Sequence, residues 1–166
     1  MHTLDFKVIS LGQTVLQYQV PLDIFNIINQ IYETKYGSLP AANKQLIGKI
    51  EKEHSLFFNG TANPKMTKHN LLPNNVLNWF QQKFSQYLDY NKIKSSNSKL
   101  NSIWINQMIE HEYNPVHVHQ GSLFTGLSSV MILKLPESYG VEYSSPDQPQ
   151  NGRLQILGSA NGHFAN

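Results

Sequence analysis

The chain has 166 residues, a net charge of +2 and a pI of about 8.7, with 40% apolar and only 14% charged residues, a composition that can bury a core and excludes a disordered chain. The lysines are scattered, Arg153 is the single arginine and cysteine is absent, which excludes a dedicated nucleic-acid surface, disulfides, thiolate metal sites and cysteine catalysis. No apolar run reaches the roughly 18 residues of a membrane span, and "MHTLDFKVIS" lacks a secretory h-region, so a cytoplasmic protein is expected and the Asn59-Gly60-Thr61 sequon is only formal.

Residues 3–10 and 13–20 roughly alternate apolar and polar side chains around a Leu11-Gly12-Gln13 turn and predict two strands. Pro21 and Asp23 then mark a helix start, Leu22, Phe25, Ile28 (or Ile27) and Ile31 recur at three- and four-residue spacing, and Gly37 marks a stop, which predicts a helix over 22–35. Residues 40–51 read as a short second helix, and 52–73, with Gly60, Pro64 and Pro73, as irregular. "PNNVLNWFQQKFSQYLDYNKI" carries the strongest helical signal: Asn74 or Asn75 can cap it, and Leu77, Phe80 or Gln81, Phe84 and Leu88 share one face. A polar linker, 94–99, follows. Beyond it, residues 100–110, 116–119, 127–136 and 153–158 are rich in Val, Ile and Leu and predict strands, with 144–152 a loop of turn formers. The expectation is one domain over 1–166, α+β in class, helix-rich over 1–99 and β-rich over 100–166.

Three of the seven histidines fall within "HEYNPVHVHQG", residues 111–121. In an extended strand, His117 and His119 point to the same face about 7 Å apart. Two imidazoles so placed can share a metal ion at about 2.0–2.1 Å from each nitrogen. The alternative is a polar strand edge bearing two solvated rings, with Val118 turned to apolar packing on the opposite side. His111, flanked by Glu110 and Glu112, reads as a surface or hydrogen-bonded group, and the isolated His2, His54, His69 and His163 as structural or solvent-facing.

"SIWINQM", "YNPVHVHQGSLFTG" and "MILKLPE" together resemble the 2-oxoglutarate/Fe(II)-dependent oxygenase superfamily, closest to a group found in marine phages and bacteria. The shared features are Trp104-Ile105-Asn106, His117-Val118-His119, Gly121-Ser122, Thr125-Gly126 and Lys134-Leu135-Pro136, within residues 102–137. The resemblance implies a double-stranded β-helix, or jelly roll, with the N-terminal helices packed outside it. It implies Fe(II) and 2-oxoglutarate as cofactor and small-molecule co-substrate, with His117 in the place of the first iron ligand. His119 stands where most of the superfamily has Asp or Glu, which removes a negative charge from the site. The family's last His, and the Arg or Lys beyond it, have no counterpart at the usual spacing. His163 is the only downstream histidine, and Arg153 precedes it rather than following. The expectation is therefore a C-terminally truncated, incomplete jelly roll, inactive as it stands or with its open sheet edges covered by a second copy of the chain.

Two further residues are candidates for the co-substrate. Lys134 interrupts the apolar run "VMILKLP" and could meet a carboxylate, as an early-strand Lys does in some superfamily members; otherwise it marks the solvent end of the strand beside Pro136. Asn106 shares a strand face with Trp104, opposite Ile103 and Ile105, and could supply one hydrogen-bonding group to a pocket. Two other classes stay open. Cupins also carry H-x-H on a jelly roll, but the positions where they place Gly and Glu hold His111, Leu123 and Phe124 here. A non-catalytic jelly-roll binding or structural module predicts no tight metal at His117.

Overall fold

The computed structural model describes residues 6–10, 14–42, 48–60, 67–94, 98–115, 117, 126–141, 152, 154 and 156. They belong to two compact units, 1–19 with 131–166, and 20–130. Among the described residues no helix is long and apolar enough to cross a membrane.

In the first unit, β1 (Phe6–Ser10) and β2 (Thr14–Tyr18) form an antiparallel hairpin in which Phe6 pairs with Tyr18 and Ser10 with Thr14. The Phe6 and Tyr18 rings meet edge-on, 5.6 Å between centroids, as directly opposed side chains on one sheet face can. The two predicted strands are thus present. The strand expected over 127–136, a span that crosses from one unit into the other, is not: these residues carry no regular structure. Val130, Ile132 and Leu135 are 63%, 52% and 64% exposed. Of the strand expected over 153–158 only Leu154 and Ile156 are described, both exposed and neither in a strand.

The second unit opens with α1 (Leu22–Lys35), over the span the spacing predicts. Pro21 is its N-cap, and its carbonyl accepts the Phe25 N–H at 2.9 Å. Its buried stripe is centred on Ile24 and Ile28, whereas Leu22 is 72% exposed. The i, i+4 pair of isoleucines in the body of the helix takes the core, and the first-turn leucine lies off the stripe. A single 3-10 turn, Tyr36–Ser38, ends the helix. Tyr36 donates its hydroxyl to the Lys52 carbonyl and sets its ring edge-on to His54 at 4.4 Å. Burial pushes its phenol up to about 12.

The short helix expected over 40–51 is not formed by the described part of that span. The Ser55 N–H bonds the Pro40 carbonyl and the Ala42 N–H bonds the Glu53 carbonyl, both at 2.8 Å, so residues 40–42 lie along a strand edge. Residues 43–47 lie outside the described set. That edge belongs to β3 (Lys52–Phe58), the centre of a three-stranded antiparallel sheet in the order β4 (His69–Asn70), β3, β5 (Ser102–Gln107). The span 52–73 was expected to be irregular. Lys, Glu, His and Ser lower its local strand signal, but pairing along both edges outweighs propensity. β3 and β5 lie on either side of the division read at residue 99, and they pair from Lys52↔Gln107 to Phe58↔Ser102. An irregularity between Ser55 and Phe57 makes Leu56 a bulged residue, and it is completely buried.

Helix α2 (Asn74–Tyr90) has Pro73 as its N-cap, not the Asn74 or Asn75 expected. The Pro73 carbonyl already accepts from Val76 and Leu77, at 3.1 and 3.3 Å, so both asparagines are inside the first turn. Val76 and Phe80 are buried, with Leu77, Phe84 and Leu88 half-buried on the expected side. The helix closes with a Schellman motif: Ile93 N–H to Leu88 carbonyl at 2.9 Å and Lys92 N–H to Asp89 carbonyl at 3.0 Å, with Lys92 at φ 55°. A left-handed residue with a Cβ is strained. Lys92→Gly is therefore expected to raise stability by about 1 kcal/mol, read as a higher urea midpoint; an unchanged or lower midpoint contradicts it. Gln81 Oε1 accepts the Leu100 N–H, and Asn59 Nδ2 donates to the Leu100 carbonyl, both at 2.8 Å, which delivers the chain from α2 into β5.

Candidate functional site

Strand β5 sorts its side chains as the alternation predicts. Ile105 is 7% exposed, while Trp104 and Asn106 stand exposed on the other face. Register places Ser55 opposite Trp104 and Glu53 opposite Asn106. This face of the sheet is polar. The Asn106 carboxamide hydrogen-bonds the Glu53 carboxyl, and burial pushes that carboxyl up from its ordinary range, partly opposed by Asn106. Glu53 is 7% exposed, and its Oε2 is buried without a hydrogen-bond partner. Ser55, 3% exposed, lies 2.9 Å from His69 Nε2. His69 Nδ1 is 3.0 Å from the Thr67 carbonyl, which can only accept, so Nδ1 carries the proton and Nε2 accepts the Ser55 hydroxyl. The seryl oxygen is buried and engaged, so the pair ties β4 to β3. His54 is likewise tied through Nδ1 to the Leu39 carbonyl at 2.9 Å.

Glu53 and Ser55 escaped the sequence reading. Their alternate positions in "KEHSLFF" are a strand-face signal, but Lys52 and His54 between them are polar too, so no apolar face stood out. The raised Glu53 carboxyl gives a signed expectation. A carboxyl raised by burial contributes stability below its unfolded value and loses it as pH rises through the folded one. Glu53→Gln, neutral and of the same shape, is expected to be more stable than wild type at pH 7 and equally stable at pH 3. Urea unfolding at the two pH values measures it, and a loss at pH 7 would mean that the charge itself is used.

Beyond β5 the chain bears the predicted metal residues. Met108 and Ile109 are exposed, His111 sits at φ 66° with Nε2 3.6 Å from Glu110 Oε1, and both of those side chains face solvent. Tyr113 rejoins the strand edge through a two-way bridge to Lys49, at 2.9 and 3.0 Å. Glu112, half-buried, accepts the Glu51 N–H on Oε1 at 2.8 Å and the Ile109 N–H on Oε2 at 2.9 Å. These two bonds, the Glu51 N–H first, hold its carboxyl below the usual range, with Lys49 and Lys52 adding to the effect. Gly48 adopts φ 121° directly under this crossing, where a Cβ would lie 2.5 Å from the Tyr113 carbonyl oxygen and 2.6 Å from Pro115 Cδ.

His117 follows, exposed, with Nδ1 2.7 Å from the Pro115 carbonyl. The carbonyl can only accept, so Nδ1 carries the proton of this bond, and the ring is oriented by it. His119, the second predicted ligand, lies outside the described residues, as do His163 and Arg153. Among the described residues no group of three or more His, Asp or Glu is placed to hold a metal. Asn106 and His117 belong to the unit spanning 20–130. Lys134 belongs to the other unit and is exposed. No family model, curated protein or solved structure matches the chain.

Proposed function

We propose that the chain is a non-haem Fe(II)/2-oxoglutarate-dependent oxygenase of jelly-roll architecture, with His117 and His119 as metal ligands. The observation that carries the reading is the 2.7 Å contact between His117 Nδ1 and the Pro115 carbonyl. It orients the ring through Nδ1, and a ligand already oriented loses less freedom when the metal arrives. An imidazole at i+2 of an extended segment falls on the same face, which is the part His119 takes. Bound Fe(II) supplies oxygen activation and redox chemistry, and leaves positions open for a co-substrate when only a few protein ligands hold it.

The chain's own groups bind and orient. His117 and His119 fix the ion. Asn106 uses one amide N–H on Glu53 and retains a second, which can donate to a carboxylate of the co-substrate. Trp104, on the same face, offers an apolar plate beside it. The test is titration of the metal-free chain with Co(II), followed by absorbance and calorimetry, and an assay of 2-oxoglutarate consumption with Fe(II). Wild type is expected to bind one ion per chain, and the His117→Ala, His119→Ala double variant to bind at least about 100-fold more weakly. Equal binding by the two, or no binding by wild type, removes the proposal.

A further inference from the structure

The β3–β5 ladder opens at its end. Lys52 pairs with Gln107, and the next pairing is Lys49 with Tyr113. Two residues, Ile50 and Glu51, therefore face five, 108–112. The longer side folds on itself: Glu112 N–H bonds the Ile109 carbonyl at 3.1 Å, and His111 takes its left-handed conformation. Such an opening strands backbone N–H groups on both sides. One side chain serves a donor from each, because Glu112 Oε1 takes the Glu51 N–H from the short side and Oε2 the Ile109 N–H from the long side. Immediately after it, Tyr113 is held by Lys49 in both directions, Gly48 supports Asn114 and Pro115, and the Pro115 carbonyl holds His117. Glu112 and Tyr113 are thus held by hydrogen bonds, Asn114 and Pro115 pass close against Gly48, and the carboxylate is the first of these contacts.

We propose that Glu112 is a positioning residue for the candidate metal site: a carboxylate latch across the opened ladder that holds residues 113–115 on residues 48–51 and so places the Pro115 carbonyl to which the His117 ring bonds. The consequence for metal affinity rests on the function proposed above; the latch and the ring orientation do not. A charged acceptor serving two backbone N–H groups is hard to replace, since removal strands both donors. Glutamine keeps one acceptor oxygen in the same shape and turns an amino group toward the other donor, so it preserves half of the latch.

The experiment reads the metal-free full chain by NMR. In wild type the Glu51 and Ile109 amides exchange slowly, and the His117 ring nitrogens carry the shifts of a single Nδ1–H tautomer. In Glu112→Ala those two amides are expected to exchange at least tenfold faster, and the His117 ring shifts to move away from their wild-type values. Glu112→Gln is expected to fall between the two, with the dispersed spectrum of the rest of the chain retained in both variants. Co(II) affinity then follows the same order, with Glu112→Ala about tenfold weaker than wild type. Unchanged His117 ring shifts in Glu112→Ala overturn the latch whether or not Co(II) binds. Absence of Co(II) binding in wild type, with the ring shifts moving as described, overturns the oxygenase reading and leaves the latch standing. If Glu112→Ala does not fold, the Glu112→Gln ring shifts decide: wild-type shifts alongside fast Glu51 and Ile109 exchange count against the proposal.

Discussion

Gly48→Ala is expected to destabilise the chain by about 2–6 kcal/mol and to release residues 113–115. Two costs combine. The backbone at φ 121° is one that L side chains rarely adopt, with a penalty of about 1–3 kcal/mol. The new methyl would also sit 2.5 Å from the Tyr113 carbonyl oxygen and 2.6 Å from Pro115 Cδ. Neither neighbour is the loose end of a side chain; one is backbone and the other a proline ring. Relief requires residues 113–115 to lift away from strand 48–50, which breaks the Lys49–Tyr113 bridge. Overpacking of this kind adds about 1–3 kcal/mol. The urea midpoint measures the loss, and Tyr113 amide exchange locates it. A variant as stable as wild type, with the Tyr113 amide still protected, would mean that the crossing is looser than these distances describe.

Leu56→Ala is expected to cost about 2–5 kcal/mol, spread over the whole second unit and not confined to one edge. Leu56 is the bulged residue of the central strand, has no exposed surface, and its carbonyl accepts the Leu71 N–H at 2.9 Å. Strand neighbours pin it on both sides, so the surroundings cannot collapse into the space left by truncation, and the cavity adds to the lost transfer energy. Leu56→Val, which removes less volume, is expected to lose roughly a third as much. Equal losses for the two variants would point to backbone strain at the bulge instead of a cavity.

These two positions bear on the candidate site differently. Leu56 supports the sheet whose polar face carries Glu53, Asn106 and Trp104. Gly48 and Glu112 act on the segment that leads out of that sheet to His117. Damage to the first lowers stability wherever it is measured. Damage at Gly48 or Glu112 also changes the surroundings of His117, so its ring shifts move along with the unfolding midpoint.

The parts of this protein that the sequence determined by itself are those whose signal is local. Helix α1 was readable because Leu22 through Ile31 repeat at helical spacing between Pro21 and Gly37, and α2 because its apolar stripe runs the length of the helix; each bond closes within four residues. The β1–β2 hairpin joins neighbours in sequence, and the separation of Trp104 and Asn106 from Ile105 onto opposite faces follows from strand alternation alone, whereas which face is exposed does not. The absence of cysteine rules out disulfides and thiolate chemistry within these 166 residues. Tertiary structure alone decided that "KEHSLFF" is the central strand, because its partners are a distant strand on one edge and residues 40–42 and 69–71 on the other. It also decided that 40–42 runs extended. Glu112 read as a surface or hydrogen-bonded side chain, and only the meeting of Glu51 and Ile109 around it identified what it holds. In every such case the deciding energy is a hydrogen bond or a packed contact between residues far apart in the chain, and local periodicity carries no record of it.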